Sequence, residues 1–135
     1  MVVLGIDIGG SGMKGALVNS LTGEMLTERY RIPTPPSRKP KEMAEVVKKI
    51  VEHFDHKGPV GVGFPTIIRH GVCKSVGNLH KKWKNVNVRE LFSNATGLPV
   101  TVINDADAAG YATMNYGIGK GKEGLVVMIT IGTGL

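Results

Sequence analysis

The sequence predicts an α/β fold with a mixed sheet, an antiparallel three-strand meander extended by parallel strands, with helices on its faces. Three observations predict it. Within the first 32 residues, three apolar segments are separated by turns short enough to make antiparallel neighbours of them. Beyond these, segments of helical period alternate with short apolar runs, the pattern of β-α units. Glycine is abundant, 19 in 135 residues, and several glycines directly follow apolar runs, which places them in built turns.

Val2 to Ile8 is a β-branched and aliphatic run ended by Gly9-Gly10, and reads as a buried central strand. Met13 to Val18 is a second strand, closed by the turn Asn19-Ser20-Leu21-Thr22-Gly23. Met25 to Ile32 is a third, leading into Pro33-Thr34-Pro35-Pro36. Pro40 opens a helix in which Met43, Val46, Val47, Ile50, Val51 and Phe54 recur at three and four, and Lys57-Gly58-Pro59 stops it. Val60 to Phe64 is a short buried strand. Thr66 to Val76, with His70-Gly71 inside it, suggests a hairpin. Val88 to Ala95 is a second helix with Gly97 near its C-terminal end. Val100 to Ile103 is a strand, and Asn104-Asp105-Ala106-Asp107 caps a third helix running to about Tyr116. Gly117 to Gly124 reads as a linker, and Leu125 to Ile131 as a last apolar strand.

That last strand has no sheet to join within the chain. The expected organisation is therefore one domain over residues 1–120, then residues 121–135 as linker and first strand of a second domain that continues past Leu135. Half a cleft is expected to be inactive alone.

Bulk properties narrow the class. No apolar stretch approaches the ~20 residues of a membrane helix, and no basic region precedes an apolar one at the N-terminus; a cytoplasmic protein is expected. The lone Cys73 excludes an internal disulfide and a cysteine-rich zinc cluster, and its expected place is buried. Seventeen Lys and Arg against 11 Asp and Glu leave a net charge of +6, which suits a phosphate-rich ligand, nucleic acid or solubility alone. The histidines show no metal-ligand spacing and are expected at the surface. Trp83 is expected as core or lid packing.

Three constellations carry chemistry. In Gly5-Ile6-Asp7-Ile8-Gly9-Gly10-Ser11-Gly12-Met13-Lys14-Gly15, a carboxylate near the end of a buried strand precedes a glycine turn. Such a turn lets backbone N–H groups approach phosphate oxygens, while Asp7 can hold Mg²⁺ directly or through water. Gly10, Gly12 and Gly15 also match the dinucleotide pattern, but that pattern needs a helix where this sequence predicts a strand. No Walker-type P-loop is present. The second constellation, Ile131-Gly132-Thr133-Gly134, echoes the first and suggests a second phosphate cradle. In the third, Asn104-Asp105, a carboxylate follows a buried strand at a helix N-terminus, where Asp105 can accept a proton from an alcohol. Asn78 offers a donor and an acceptor together, as sugar hydroxyls require.

Asp7-Ile-Gly-Gly-Ser-Gly, Gly63-Phe-Pro, Asn78-Leu, Asn104-Asp-Ala-Asp-Ala-Ala and Ile131-Gly-Thr-Gly fall in the order found in ROK-type sugar kinases, and the chain resembles that family in register along essentially all 135 residues. Within it, the chain is most similar to the polyphosphate-dependent glucokinases, on Ser11 before Gly12, Arg31-Ile-Pro-Thr-Pro, and Asn78-Leu79 followed by Lys82-Trp83. Departures are Thr66, where the subgroup often has glycine, and His80, where an acidic residue is expected. The resemblance implies an actin-like ATPase fold of ribonuclease H-like topology, with the active site between two domains. It implies phosphoryl transfer from polyphosphate, ATP or both to the 6-hydroxyl of glucose with Mg²⁺, by a homodimer when full length, with no nucleic-acid or membrane partner. By the same resemblance, Asp105 is the general base. Asn78, Asn104, Asp105, Gly63 and Pro65 hold glucose. Gly9, Gly10, Ser11, Gly12, Lys14, Gly132, Thr133 and Gly134 address the donor phosphates, and Asp7 the metal. The family's downstream Glu-x-x-x-Gly-His motif and adenosine pocket would lie beyond Leu135. A sugar-sensing regulator without catalysis is the alternative. The presence of Asp105 speaks against it, as does a first strand at Val2 where such regulators have a helix-turn-helix.

Overall fold

The computed structural model describes residues 2–66 and 68–104. Its elements are β1 (Val2–Ile8), β2 (Gly12–Asn19), β3 (Tyr30–Pro33), α1 (Pro40–His53), β4 (Val60–Phe64), β5 (Ile68–Arg69), β6 (Val72–Cys73), a 3-10 turn (Lys81–Trp83), α2 (Val88–Thr96) and β7 (Val100–Asn104). One sheet has the order β3-β2-β1-β4-β7, and β5 and β6 form a separate hairpin. β2 pairs antiparallel with β1 and β3, whereas β4 runs parallel to both β1 and β7. The expected mixed sheet is therefore present.

Alternation along the strands decides which face is core. In β1, Leu4, Ile6 and Ile8 are buried, while Gly5 and Asp7 point the other way. In β4, Val60, Val62 and Phe64 are buried and the alternating positions are Gly61 and Gly63. Val100 and Val102 of β7 continue the apolar layer. Against it α1 lays Met43, Val46, Val47, Ile50 and Val51, and α2 adds Val88 and Phe92. Both described helices touch each other and so cover one and the same face; of the expected helices on two faces, the described residues supply one side.

Local signals place the helix ends. Pro40 at the first turn supplies a preset φ for α1, and Ser37 Oγ bonds the Glu42 carboxylate just inside it. Asn87 Oδ1 accepts from the Glu90 N–H (3.0 Å) at the start of α2, and Gly97 in the left-handed region ends it. His70 and Gly71, at φ 53° and 81°, form the two-residue turn between β5 and β6, the hairpin geometry that matches strand twist.

Two expectations need correction. The third strand is only Tyr30–Pro33, not Met25 to Ile32. Near Met25 the chain makes one bridge to Val18, and then the Thr27 hydroxyl, not a backbone carbonyl, accepts from the Leu17 N–H (3.1 Å), so the ladder is broken. Nor are all histidines at the surface: His56 is buried, with Nε2 donating to the Pro59 carbonyl at 2.8 Å. The strand after the glycine turn is present as β2, which removes the dinucleotide reading. The predicted helix from Ala106, the linker, the strand Leu125 to Ile131 and the boundary at residue 120 lie outside the described residues. Among the described residues no helix is long and apolar enough to cross a membrane.

Gly15 sits in β2 opposite Ile6, under α1. A Cβ there would lie 2.5 Å from Ile50 Cγ2, so the absent side chain sets how closely the helix approaches. Gly15→Ala is expected to cost about 1–3 kcal/mol by overpacking, read from urea unfolding, and to cost less in an Ile50→Ala background. Strict additivity would show that this contact does not limit the approach.

Candidate functional site at the carboxyl ends of the parallel strands

In open α/β sheets, ligands bind beyond the carboxyl ends of the parallel strands. Here β1, β4 and β7 run parallel, and each ends in residues that the sequence singles out. β1 delivers Asp7 and the turn Gly9-Gly10-Ser11-Gly12. β4 delivers Gly63, then Pro65 and Thr66. β7 ends at Asn104.

The glycine turn is drawn tight by a hydrogen bond from the Gly9 N–H to the Gly12 carbonyl (2.9 Å). A Cβ on Gly9 would meet that backbone carbonyl at 2.7 Å, so Gly9 admits no side chain, whereas one on Gly12 would meet Arg31 Nε at 2.4 Å and would have to displace that guanidinium. Segments after β2 brace the turn from outside. Thr34 Oγ1 donates to the Gly9 carbonyl (2.7 Å), while the Thr34 N–H (3.1 Å) and an Arg31 Nη (3.0 Å) both donate to the Ser11 carbonyl. The braces engage carbonyls; the Gly10 and Ser11 N–H groups have no acceptor among the described residues. Uncommitted amides in a short turn suit an anion.

Asp7 is exposed and lies directly opposite Lys14 on β2, itself exposed. The two form no ion pair; the ion pair found among the described residues is Lys57–Asp55 (3.1 Å), far along the chain. Asp7 also lies beside Gly63 of β4. One accessible carboxylate with no protein cage fits Mg²⁺, which keeps several waters and is completed by substrate phosphates. Among the described residues no cluster of three or more His, Cys, Asp or Glu could hold a metal by itself.

On the other side of the site, Thr66 joins three segments. It is buried, its Oγ1 is 3.2 Å from Cys73 Sγ, and the Cys73 thiol donates to the Ser75 carbonyl (2.9 Å). Since the thiol proton goes to Ser75, the Thr66 hydroxyl is the donor to sulfur. The Thr66 carbonyl accepts from Asn104 Nδ2 (2.8 Å), which fixes how that carboxamide is turned. The Thr66 methyl lies 3.7 Å from where a Gly77 Cβ would be, beside Asn78. Asn78 is exposed in a turn closed by the Leu79 N–H on the Val76 carbonyl (2.8 Å). Arg38 Nη1 holds the Asn78 carbonyl (3.0 Å), and the Arg38 carbonyl accepts from Trp83 Nε1 (2.8 Å). Trp83 is wholly buried against Phe64 and Phe92, so it is core, and His80 Nδ1 caps the following turn by accepting from the Lys82 N–H (3.1 Å).

Thus Asp7, Lys14, Gly63 and the glycine turn share one part of the strand-end edge, and Thr66 touches Asn104 directly and approaches Gly77, the residue before Asn78. Asp105, Gly132, Thr133 and Gly134 lie outside the described residues. The supporting roles of Thr34, Thr66, Arg31 and Arg38 are not readable from local sequence. The signal available for Thr66 was its departure from glycine, and its buried bond to Cys73 accounts for it. Thr66→Val keeps the shape and removes the donor to sulfur, and is expected to cost about 1 kcal/mol in urea unfolding. An unchanged midpoint would show the hydroxyl to be idle.

Comparison with known proteins identifies relatives along nearly the whole chain. A model of the ROK family matches residues 3–135. The polyphosphate glucokinase of Mycobacterium tuberculosis is 42% identical over 132 residues, 97% of this chain and 50% of the relative. Among solved structures, the inorganic polyphosphate/ATP-glucomannokinase from Arthrobacter sp. strain KM superposes with a TM-score of 0.86 at 45% identity, covering 91% of this chain and 51% of that one. A ROK family glucokinase from Streptomyces griseus, solved with glucose and AMPPNP, matches with a TM-score of 0.77 at 25% identity over 90% of this chain and 38% of that one. The fold is that of the actin-like ATPases. The chain spans about half the length of the polyphosphate glucokinase and of the polyphosphate/ATP-glucomannokinase.

Proposed function

The chain belongs to the ROK family, and from that premise we propose that it is the N-terminal domain of a kinase that phosphorylates glucose on its 6-hydroxyl, using polyphosphate, ATP or both. The observation that carries the reading is the convergence, on one edge of the sheet, of a glycine turn with uncommitted amides beside an unpaired carboxylate and the Asn104 carboxamide held by the Thr66 carbonyl. The first is suited to a phosphoryl donor and its metal, the second to a polyol. Residues 121–135 begin the second domain in this reading, and Gly132, Thr133 and Gly134 supply the opposing phosphate cradle. The complete protein is a cytoplasmic homodimer with no nucleic-acid or membrane partner.

Asn78 and Asn104 orient the sugar, with Gly63 and Pro65 shaping its floor. Asp105, next in sequence after Asn104, takes the proton of the 6-hydroxyl as its oxygen attacks the terminal phosphorus. A bond forms between O6 and phosphorus, and the donor's bridging P–O bond breaks. Polyphosphate leaves one phosphate shorter, or ATP leaves as ADP. Gly9, Gly10, Ser11, Gly12 and Lys14 hold the donor's charge in place throughout. Mg²⁺, when bound near Asp7, neutralises charge that develops on the phosphate oxygens.

The test is phosphate transfer to glucose by the full-length gene product, with ATP and polyphosphate as separate donors. Asp105→Ala is expected to lower transfer by about 10²–10⁴-fold while glucose still binds. Glucose binding with no transfer from either donor, in the unaltered protein, would instead identify a sugar sensor.

A further inference from the structure

Lys14 pairs with Asp7 on one side and with Arg31 on the other, so the three side chains stand in a row across β1, β2 and β3. They share the sheet face that the described helices leave uncovered. With strands ~4.8 Å apart, Lys14 stands one spacing and Arg31 two spacings, roughly 10 Å, from Asp7. From the sugar side outward, the order is Asn104 on β7, then β4, then Asp7, Lys14 and Arg31.

Arg31 is exposed, and its guanidinium lies over the backbone of the glycine turn. A Cβ on Gly12 would be 2.4 Å from its Nε, and one Nη donates to the Ser11 carbonyl at 3.0 Å. That bond uses one of five N–H donors, and no carboxylate pairs with it among the described residues. A guanidinium docked on a turn with uncommitted amides, and with its own planar fork largely uncommitted, has the geometry of a bidentate phosphate ligand.

We propose that Arg31 forms a subsite for the distal phosphates of a linear polyphosphate, one strand beyond those that Lys14 contacts, and so favours polyphosphate over a nucleotide. The assignment rests on the kinase reading above and names the donor class for its site. In ATP the run of negative charge ends at a ribose. In polyphosphate it continues, and a cation at the outer end of the row reaches only the longer polyanion.

The experiment compares the full-length gene product with its Arg31→Gln and Arg31→Lys variants, measuring KM for long-chain polyphosphate, tripolyphosphate and ATP with glucose saturating. In Arg31→Gln, KM for long-chain polyphosphate is expected to rise about tenfold relative to KM for ATP, with a smaller relative rise for tripolyphosphate. Arg31→Lys, which keeps the charge without the fork, falls between. Equal changes for all donors, or none, overturn the proposal and leave Arg31 as a brace of the turn. Should Arg31→Gln fail to fold, the same comparison is made on Arg31→Lys alone, with an unchanged donor ratio overturning it. Unaltered protein that transfers from ATP but not from polyphosphate also overturns it, with the kinase reading intact. Transfer from neither donor defeats the kinase reading itself.

Discussion

Two parallel pairings hold the site together: β1 with β4, which sets Asp7 beside Gly63, and β4 with β7, which sets Phe64 beside Asn104. Because strand side chains alternate, a slip of one residue in either pairing would exchange the faces of a whole strand. In β1 such a slip would turn Asp7 toward α1 and leave Leu4, Ile6 and Ile8 in water. An unpaired carboxylate buried under a helix costs several kcal/mol, and three exposed aliphatic side chains add to that in the same direction. The apolar alternation that makes the core is thus also what aims the carboxylate. Gly61 and Gly63, alternating with Val60, Val62 and Phe64, keep the floor beside Asp7 free of side chains.

Loops that leave these strands are held by side chains from distant segments, and the bonds have a common direction. Arg31 and Thr34 donate to carbonyls of the glycine turn; Arg38 donates to the Asn78 carbonyl; Asn104 donates to the Thr66 carbonyl. Engaging carbonyls fixes a loop while leaving its N–H groups for a ligand, which suits a site that receives negative charge. Trp83 adds rigidity by fixing Arg38 from the core side.

Elements that rest on local pattern were legible in the sequence: β1, β2, β4, α1, α2 and β7 follow from apolar period and from Pro40, Gly97 and the Asn19–Gly23 turn. So were the residues at the strand ends, since chemistry after an apolar run is a local signal. What was hidden depends on partners remote in sequence. The third strand is short because Thr27 takes a ladder position by its side chain. His56 is the exception, a buried ring whose N–H reaches a carbonyl only three residues away. Thr66 gains its importance from Cys73, Gly77 and Asn104, contacts that apolar period and turn chemistry do not announce. Both described helices share a face because apolar period fixes which stripe of a helix is buried, not which side of the sheet receives it.

The net charge of +6 is a weaker argument about the donor than the row Asp7–Lys14–Arg31. At physiological ionic strength the screening length is ~8 Å, shorter than the roughly 10 Å of two strand spacings. Asp7 and Arg31 therefore interact little with each other, and each answers to whatever touches it directly. Lys14, between them and adjacent to both, has an anionic neighbour and a cationic one yet closes no ion pair. A metal beside Asp7 and phosphate oxygens beside Lys14 would satisfy both groups at once, which no side chain in the described residues does. In the proposed reading, donor choice would depend on how many phosphates extend past Lys14, a matter of contact at the β3 edge and not of the protein's overall field.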